Sequence, residues 1–546
     1  MNNNALSTII AYHEASKHRL DGYAPGPGDL DWANQPDPFR RYAGTQRCEL
    51  PLRVTPLQMP FSEIRSGRRQ TPAALNLAGL ATLLELSFGL SAWKEYGGSR
   101  WALRCNPSSG NLHPTECYVL AAARDGLASG VHHYVSYDHS LERRAEADPA
   151  WDGELAGGFV LILTSIHWRE AWKYGLRAYR YCQHDCGHAM AAVSYAAATL
   201  GWRAQILENW PDAVLAALTG AAHKNDFAEH ESEAVEVALW IGCGNAPESL
   251  DLAQTATVLA SGLNFVGQAN RLSAKHVHWA GIDAVHLAAE RPVPPSSPLI
   301  SPAQWPPLAP IDCSQDADVL IRQRRSAVGF DGITAMPTER WFTMLDALLP
   351  RPELPPWDAW QRPPRVHLIL FVHRIAGITP GIYLLLRDHS VAPALRQAIR
   401  EDAEWAEVPG TPRHLGLFRL FTADAQDAAR LISCHQDIAA DSCFSLGMLA
   451  EFKAALNAGA WRYRELFHEA GMLGQVLYLE AEAAGLRGTG IGCYFDDALH
   501  TLLGLSGHGW QSLYHFTVGG PRDDSRLRTL PPYAHLRNCL ETPVLS

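Results

Sequence analysis

Cys182, His184, Cys186 and His188 alternate over a short stretch, and thiols with imidazoles are the donors a zinc ion takes. The stretch is predicted helical, where positions two apart differ by about 200° around the axis. Cys182 and Cys186 then share one face while His184 and His188 share nearly the opposite one, so the four cannot meet on one ion. Core and capping roles are expected instead, with no metal. The pairs His132-His133 and Cys434-His435 carry no more weight. Lys173-Tyr174 offers different chemistry: an ammonium beside a phenol can lower the phenol pKa from about 10 toward neutrality and make it a base. The ordinary alternative is a helix with the tyrosine packed inward. Gly488-Thr489-Gly490-Ile491-Gly492 is a run whose bare backbone could approach a flat ring and donate N–H groups to it. The corresponding positions earlier in the chain hold Ala204-Gln205-Ile206-Leu207-Glu208.

These residues are carried on a repeat. Tyr179-Arg180-x3-His184-x2-Gly187, running on to Gly201, recurs 284 positions later as Tyr463-Arg464-x3-His468-x2-Gly471, running on to Gly485. At the same offset Asp212 meets Asp496, Leu218 meets Leu502 and Gly220 meets Gly504. The agreement covers a long helix, the turn after it and a short helix. A fused pair of equivalent domains can build a site across its own interface, as a two-fold dimer does with two chains. The 546 residues also exceed one hydrophobic core. We expect an arm over 1–60, a first domain over 61–250, a linker over 251–315 centred on eight prolines between Pro292 and Pro310, and a second domain over 316–546. A proline-rich loop with Trp357 and Trp360 is expected to pack within the second half.

The first half predicts a helix over 75–88, a polar loop over 105–114, a strand over 116–122 and a hairpin over 131–144. A strand over 159–167, the long helix ending near Gly201, a short helix from Asp212 and a strand over 235–241 complete it. Strands over 366–372, 382–386, 417–421 and 513–518 are expected in the second half. The fold class is therefore α+β, with a mixed or antiparallel sheet covered by helices in each half.

A net charge of −11 argues against nucleic acid as the main partner, leaving a small-molecule or peptide-derived substrate. No apolar run reaches the roughly 18 residues a membrane helix needs. Eleven scattered cysteines and an opening without a basic, apolar leader point to a reduced, cytoplasmic protein.

Arg324-Arg325-Ser326, Pro107-Ser108-Ser109-Gly110-Asn111, and Trp172-Lys173-Tyr174-Gly175-x-Arg177-x-Tyr179-Arg180-Tyr181 followed by Gly187-His188 together resemble the FMN-dependent nitroreductase superfamily. Within it they resemble the SagB-type (ThcOx-like) dehydrogenases, which oxidise azoline rings in peptide natural products. The resemblance spans about 62–533 and implies a pseudo-dimer within one chain, with FMN at its interface. Pro107, Ser108, Ser109 and Asn111 would reach the flavin from the first half. Arg324, Arg325 and Ser326, the glycines Gly488, Gly490 and Gly492, and Arg526 (with Arg522 and Arg528 near it) would cradle it from the second. Lys173 and Tyr174 would be the catalytic pair, with Tyr174 as base. Arg65-Ser66-Gly67-Arg68 fits the family's Arg-Ser-x-Arg better than the second-half copy does, so the half that holds the phosphate stays open. The activity implied is dehydrogenation of a small heterocyclic or peptide-derived substrate. The alternatives are an NAD(P)H-dependent nitro- or flavin reductase and a flavin-free binding scaffold. Whether the fused chain dimerises further is open.

Overall fold

A computed structural model describes residues 3–68, 70–149, 151–292 and 305–537. It contains two seven-stranded antiparallel sheets built to one plan. The first runs in the spatial order Gln46–Glu49, Ser140–Glu146, Gly130–Val135, Thr115–Ala121, Gly158–Ser165, Ala234–Gly242, Arg203–Ile206. The second runs Ala406–Glu407, Gly416–Thr422, Gly381–Leu386, Val366–Val372, Phe444–Ala450, Gln511–Gly519, Arg487–Ile491. Six of the seven strands correspond in chain order and place; the edge strands do not, since Gln46–Glu49 precedes the rest of its sheet in the chain while Ala406–Glu407 falls between Gly381–Leu386 and Gly416–Thr422. The α+β class and the tandem arrangement expected from the repeat are thus present.

The helices that matter for the site are α1 (Asn3–Ala15), α2 (His167–Tyr174), α3 (Ala178–Thr199), α4 (Asp212–Thr219), α5 (Arg462–Ala483) and α6 (Asp496–Leu503). The long helices α3 and α5 have 22 residues each and begin and end at the repeat offset. They cross with their backbones in contact. A Cβ on Gly187 would lie 2.1 Å from the carbonyl oxygen of His468, and one on Gly471 would lie 2.2 Å from that of His184. No side chain larger than hydrogen fits at either position. Beside the crossing the repeat-related Tyr179 and Tyr463 stack, with ring centroids 6.4 Å apart and planes 7° from parallel.

Each long helix also sends an arginine into the opposite half. Arg180 of α3 donates to Asp496 at the start of α6 at 2.6 Å, and Arg464 of α5 donates to Asp212 at the start of α4 at 2.7 Å. Arg177 joins the first pair at 2.8 Å. All five side chains are buried. The two guanidinium groups hold the Asp496 carboxyl far below the ordinary carboxylate range against the opposing effect of burial. Ions this deep are tolerated because each finds its counter-ion; removing one partner of such a pair costs about 3–5 kcal/mol.

Several elements depart from expectation. The segment expected as an arm forms α1 and supplies the edge strand Gln46–Glu49 of the first sheet. The expected linker contains packed helices over Ala253–Ala260 and Ala280–Ala288, while Pro294, Pro295, Pro298 and Pro302 lie outside the described residues. The strand Phe444–Ala450, central to the second sheet, was not expected. Neither was a hairpin, Leu90–Tyr96 and Ser99–Arg104, which takes Arg528–Leu530 of the chain's end as its third strand. Among the described residues no helix is long and apolar enough to cross a membrane.

Because the crossing leaves no room for a methyl group, Gly471→Ala is expected to destabilise the chain by about 1–3 kcal/mol, measured as a lowered Tm. Gly244→Ala, whose added Cβ meets nothing within 4 Å, should leave Tm unchanged; equal melting of the two variants would contradict the tight crossing.

Candidate functional site

A cleft of about 810 Å³ opens where the two halves meet, lined by selected residues from the segments 94–113, 174–188, 323–328, 436, 478–493 and 514–529. Its size falls in the range of small-molecule sites. Of the residues singled out in the sequence, Pro107, Ser108, Ser109, Asn111, Tyr174, Arg324, Arg325, Ser326, Gly490 and Gly492 line it together. Residues far apart in the chain therefore converge on one space.

On the first-half side, the turn Ser109–Asn111 is pinned from below by Asp185 of α3. The Ser109 backbone N–H donates to both carboxylate oxygens, at 3.0 and 3.1 Å, and its hydroxyl donates to one of them at 3.0 Å. Ser108 Oγ accepts from the His113 N–H at 2.8 Å, and Asn111 Nδ2 donates to the Ala102 carbonyl at 2.8 Å. These polar side chains shape the turn. The turn lies directly over the Lys173-Tyr174 pair: a Cβ on Gly110, at φ 57°, would sit 2.6 Å from the Tyr174 hydroxyl and 3.2 Å from Lys173 Nζ. Lys173 Nζ stands 5.3 Å from the centroid of the Tyr174 ring. The pair occupies the last turn of α2, and the chain's N-terminal segment buttresses that end, with Leu176 N–H bonded to Pro25 O at 3.0 Å and Tyr12 to Leu176 O at 2.7 Å.

The protonation expected for Tyr174 needs correction. Burial, followed by Glu170, Tyr181 and Asp185, pushes its phenol well above the ordinary value. Glu170 stands one turn before the pair on α2, where it is neighbour to both Lys173 and Tyr174. Burial is the largest of these causes, so Tyr174 is held protonated and suits proton donation. The sequence did not single out Asp185, which also lines the cleft. Burial pushes its carboxyl up to about 7, with Ser108 and Ser109 pulling the other way. Burial and then Asp185 push Glu170 well above the carboxylate range. Two carboxyls this deep cannot both ionise cheaply.

On the second-half side, Arg324 lies over the Tyr478 ring at 4.8 Å, and the Tyr478 hydroxyl meets Ser326 Oγ at 2.8 Å and the Gly490 N–H at 3.0 Å. Arg325 spends its guanidinium on the carbonyls of Ser91, Arg322 and Arg324, and burial lowers its pKa to about 10. Arg487 and Arg522 also line the cleft. Arg526 does not: it is exposed and bonded to Asp524 at 2.7 Å. Arg528 faces Glu95 at 3.5 Å.

The glycine run is the edge strand Arg487–Ile491 and the residues just after it. Its glycines are required by the protein's own rings, because a Cβ would meet Phe516 at 2.6 Å from Gly488, Tyr514 at 1.9 Å from Gly490 and Tyr181 at 2.3 Å from Gly492. Gly488 lies away from the cleft, its carbonyl accepting from the Ala327 N–H at 3.1 Å. Bare backbone is thus a packing requirement here before it is a ligand contact.

Among the described residues the equivalent space on the other side of the pseudo-two-fold is filled. Arg65 bonds Glu480 at 2.7 Å and the carbonyls of Ala309 and Thr343. About 10 Å³ remains among Arg65, Tyr195, Trp357 and Glu480. Arg68 is exposed and paired with Glu63 at 2.8 Å. The four metal-type residues of α3 are divided as the helix dictates: His184 Nε2 bonds the Leu513 carbonyl and His188 Nε2 the Tyr514 hydroxyl, each at 3.0 Å.

Residues 65–228 match the family model described as the nitroreductase family. A candidate nitroreductase of Methanocaldococcus jannaschii is 27% identical over 167 residues, 29% of this chain and 81% of that protein. The crystal structure of a candidate nitroreductase from Anabaena variabilis aligns with a TM-score of 0.66 at 20% identity, covering 94% of this chain and 99% of that one. The chain has a tandem nitroreductase-like fold. A candidate nitroreductase from Ralstonia eutropha, 20% identical with a TM-score of 0.28, covers 41% of this chain and 98% of its own. The family match contains Ser108, Lys173, Tyr174 and Asp185 but stops short of the second half, which supplies the arginine wall in this tandem fold.

The cleft's donor set fits FMN, a flat ring carrying a phosphate. Tyr174, Tyr181, Tyr478, Tyr514 and Trp101 offer ring surfaces, and Arg324, Arg487 and Arg522 offer guanidinium groups. Asn106 Oδ1 and Arg324 Nε are buried without a hydrogen-bond partner among the described residues, and both residues line this cleft. Since Asp185 anchors the turn, Asp185→Ala is expected to release it, with amide exchange at 108–111 accelerated about tenfold or more. Unchanged exchange there would show that the carboxylate does not hold the turn.

Proposed function

We propose that the chain is an FMN-dependent oxidoreductase with one composite site per molecule, acting as a dehydrogenase on a small heterocyclic or peptide-derived substrate. The observation that carries this reading is the contrast between the two interface spaces among the described residues: the one lined by the Ser108–Asn111 turn, Tyr174 and the arginine wall, with Lys173 beneath Gly110, is open, and its counterpart is filled by Arg65, Glu480 and Trp357. Bound FMN supplies a two-electron acceptor for hydride. The chain's own residues do the rest. Arg324, Arg487 and Arg522 would hold the phosphate, and the tyrosine walls would exclude water from the ring. Asp185, with its carboxyl near neutrality, is the proton acceptor that the cleft offers in place of Tyr174. Lys173 would stabilise negative charge that develops beside Tyr174. The reduced cysteines favour a cytoplasmic setting.

Protonated Tyr174 also supports a second reading, in which the same site takes hydride from NAD(P)H and protonates an acceptor. Bleaching of the flavin by NAD(P)H under nitrogen would select that reductase reading over the dehydrogenase.

The purified chain should be yellow and carry one FMN; two per chain, or none after reconstitution, would reject the composite site. Lys173→Ala is expected to keep the chromophore and lose turnover by about a hundredfold or more, so a colourless or fully active variant contradicts its assignment. Asp185 accepts a proton only when ionised. Turnover should therefore rise with pH through an apparent pKa near 7, and that limb should vanish in Asp185→Asn. A limb that persists would assign the base elsewhere.

A further inference from the structure

Two thiols far apart in sequence meet at the rim of the cleft. Cys493 directly follows the glycine run and lines the cleft, as does Gln436. Cys434 belongs to the turn after the helix Gln426–Ile432. Each thiol is the foremost influence on the other's ionisation, and neither is in a disulfide. Bonds on both sides keep their segments together: the Phe495 N–H donates to Ile432 O at 2.8 Å, and Gln436 Nε2 donates to Cys493 O at 3.0 Å. Cys434 and His435 are consecutive non-glycine residues at φ 52° and 60°, a left-handed conformation that such residues rarely adopt. Both thiols are partly exposed, unlike the buried Cys105, Cys117, Cys182 and Cys186.

A third group completes the arrangement. His18, from the N-terminal segment, accepts the Ala24 N–H at its Nδ1 at 2.9 Å. The proton of the neutral ring therefore sits on Nε2, the nitrogen left to bond the Cys493 sulfur. Cys434 first and His18 second lower the Cys493 pKa against burial, and Cys493 in turn raises that of Cys434. The two shifts run in opposite directions, the asymmetry an attacking and a resolving sulfur need.

We propose that Cys434 and Cys493 form a thiol–disulfide exchange site on the rim of the cleft, with Cys493 attacking, Cys434 resolving and a low-molecular-weight disulfide as co-reactant. The Cys493 sulfur attacks one sulfur of the small disulfide; that S–S bond breaks, a mixed disulfide forms and one thiolate leaves. Cys434 then gives its proton to the departing thiolate, and its sulfur attacks Cys493, forming the Cys434–Cys493 bond and releasing the second thiolate, which takes a proton from water. Two protein thiols are oxidised by two electrons and one small disulfide is reduced to two thiols. The closed bond would tether the 433–436 turn to the residue after Gly492 and so stiffen one wall of the cleft. Nothing in this step depends on which reaction the cleft performs.

The full-length reduced chain is treated with oxidised glutathione, quenched with N-ethylmaleimide, digested and analysed by mass spectrometry. The expected product is one cross-linked peptide pair joining Cys434 to Cys493, lighter by two hydrogens, formed before oxidation of exposed Cys243. In Cys434→Ser the mixed disulfide should instead accumulate on Cys493, and in Cys493→Ser adduct at Cys434 should form at least tenfold more slowly. Full alkylation of Cys434 and Cys493 in the wild-type chain, under conditions that oxidise Cys243, would overturn the proposal. So would a Cys434→Ser chain that takes up no glutathione at Cys493.

Discussion

Everything in this molecule depends on two glycines in contact. Gly187 and Gly471 let helices α3 and α5 touch backbone to backbone, and that contact fixes how far apart the two sheets stand. Were the helices separated by side chains, Arg180 would not reach Asp496 nor Arg464 reach Asp212. These reciprocal bonds use charge where a purely apolar seam would allow sliding. A buried arginine and aspartate satisfy one another in only a few geometries, so two such locks on either side of a crossing point set the angle as well as the distance. The cleft inherits this precision, because one of its walls comes from each half.

The frame is symmetric and its contents are not. Each half has the same order of six strands and the same long helix, yet among the described residues one interface space is open and the other is filled. On the closed side Trp357 is buried, donating its indole N–H to Ala347 O at 3.0 Å, and the Arg65–Glu480 pair is sealed over by backbone carbonyls. On the open side the Ser109–Asn111 turn is polar, and Ser109 donates its hydrogen bonds to Asp185 of α3. Filling one site with tryptophan recovers apolar burial that an unused cavity would forfeit. Specialisation of the other then carries no stability cost from a duplicate void.

Legibility in the sequence followed the same line. The repeat was visible because helix crossings and caps restrict residue types at fixed spacing, and Gly187, Gly471, Asp212 and Asp496 are such positions. The polar loop and the arginine cluster were recognisable as motifs and do line the cleft. What the sequence concealed was set by tertiary contact. Phe444–Ala450 is buried along its whole length, so it lacks the alternation that marks a half-exposed strand. Arg526 looked like a phosphate ligand until Asp524, two residues away, was seen to engage it. The glycine run carries a second constraint that the sequence did not show, since a Cβ on Gly490 or Gly492 would meet Tyr514 or Tyr181, while both glycines line the cleft as expected. Asp185 was hidden between His184 and Cys186, in a stretch whose donors drew attention to metals.

The ionisation of the site follows from where α2 ends. Glu170, Lys173 and Tyr174 occupy one face of its last turns, and Asp185 approaches from α3, so two carboxyls, an ammonium and a phenol share a poorly hydrated space. Burial disfavours every charge there. The cheapest state keeps Lys173 and one carboxylate charged and leaves the phenol and the second carboxyl neutral. Such a cluster can lose or gain one proton near neutrality, its net charge changing by one unit, because burial brings the Asp185 carboxyl to about 7. A lone buried tyrosine has no such means. The adjacent Lys-Tyr pair is therefore best understood as half of a four-residue proton store, whose other half lies on the two helices that the glycine crossing and its buttressing segment hold in place.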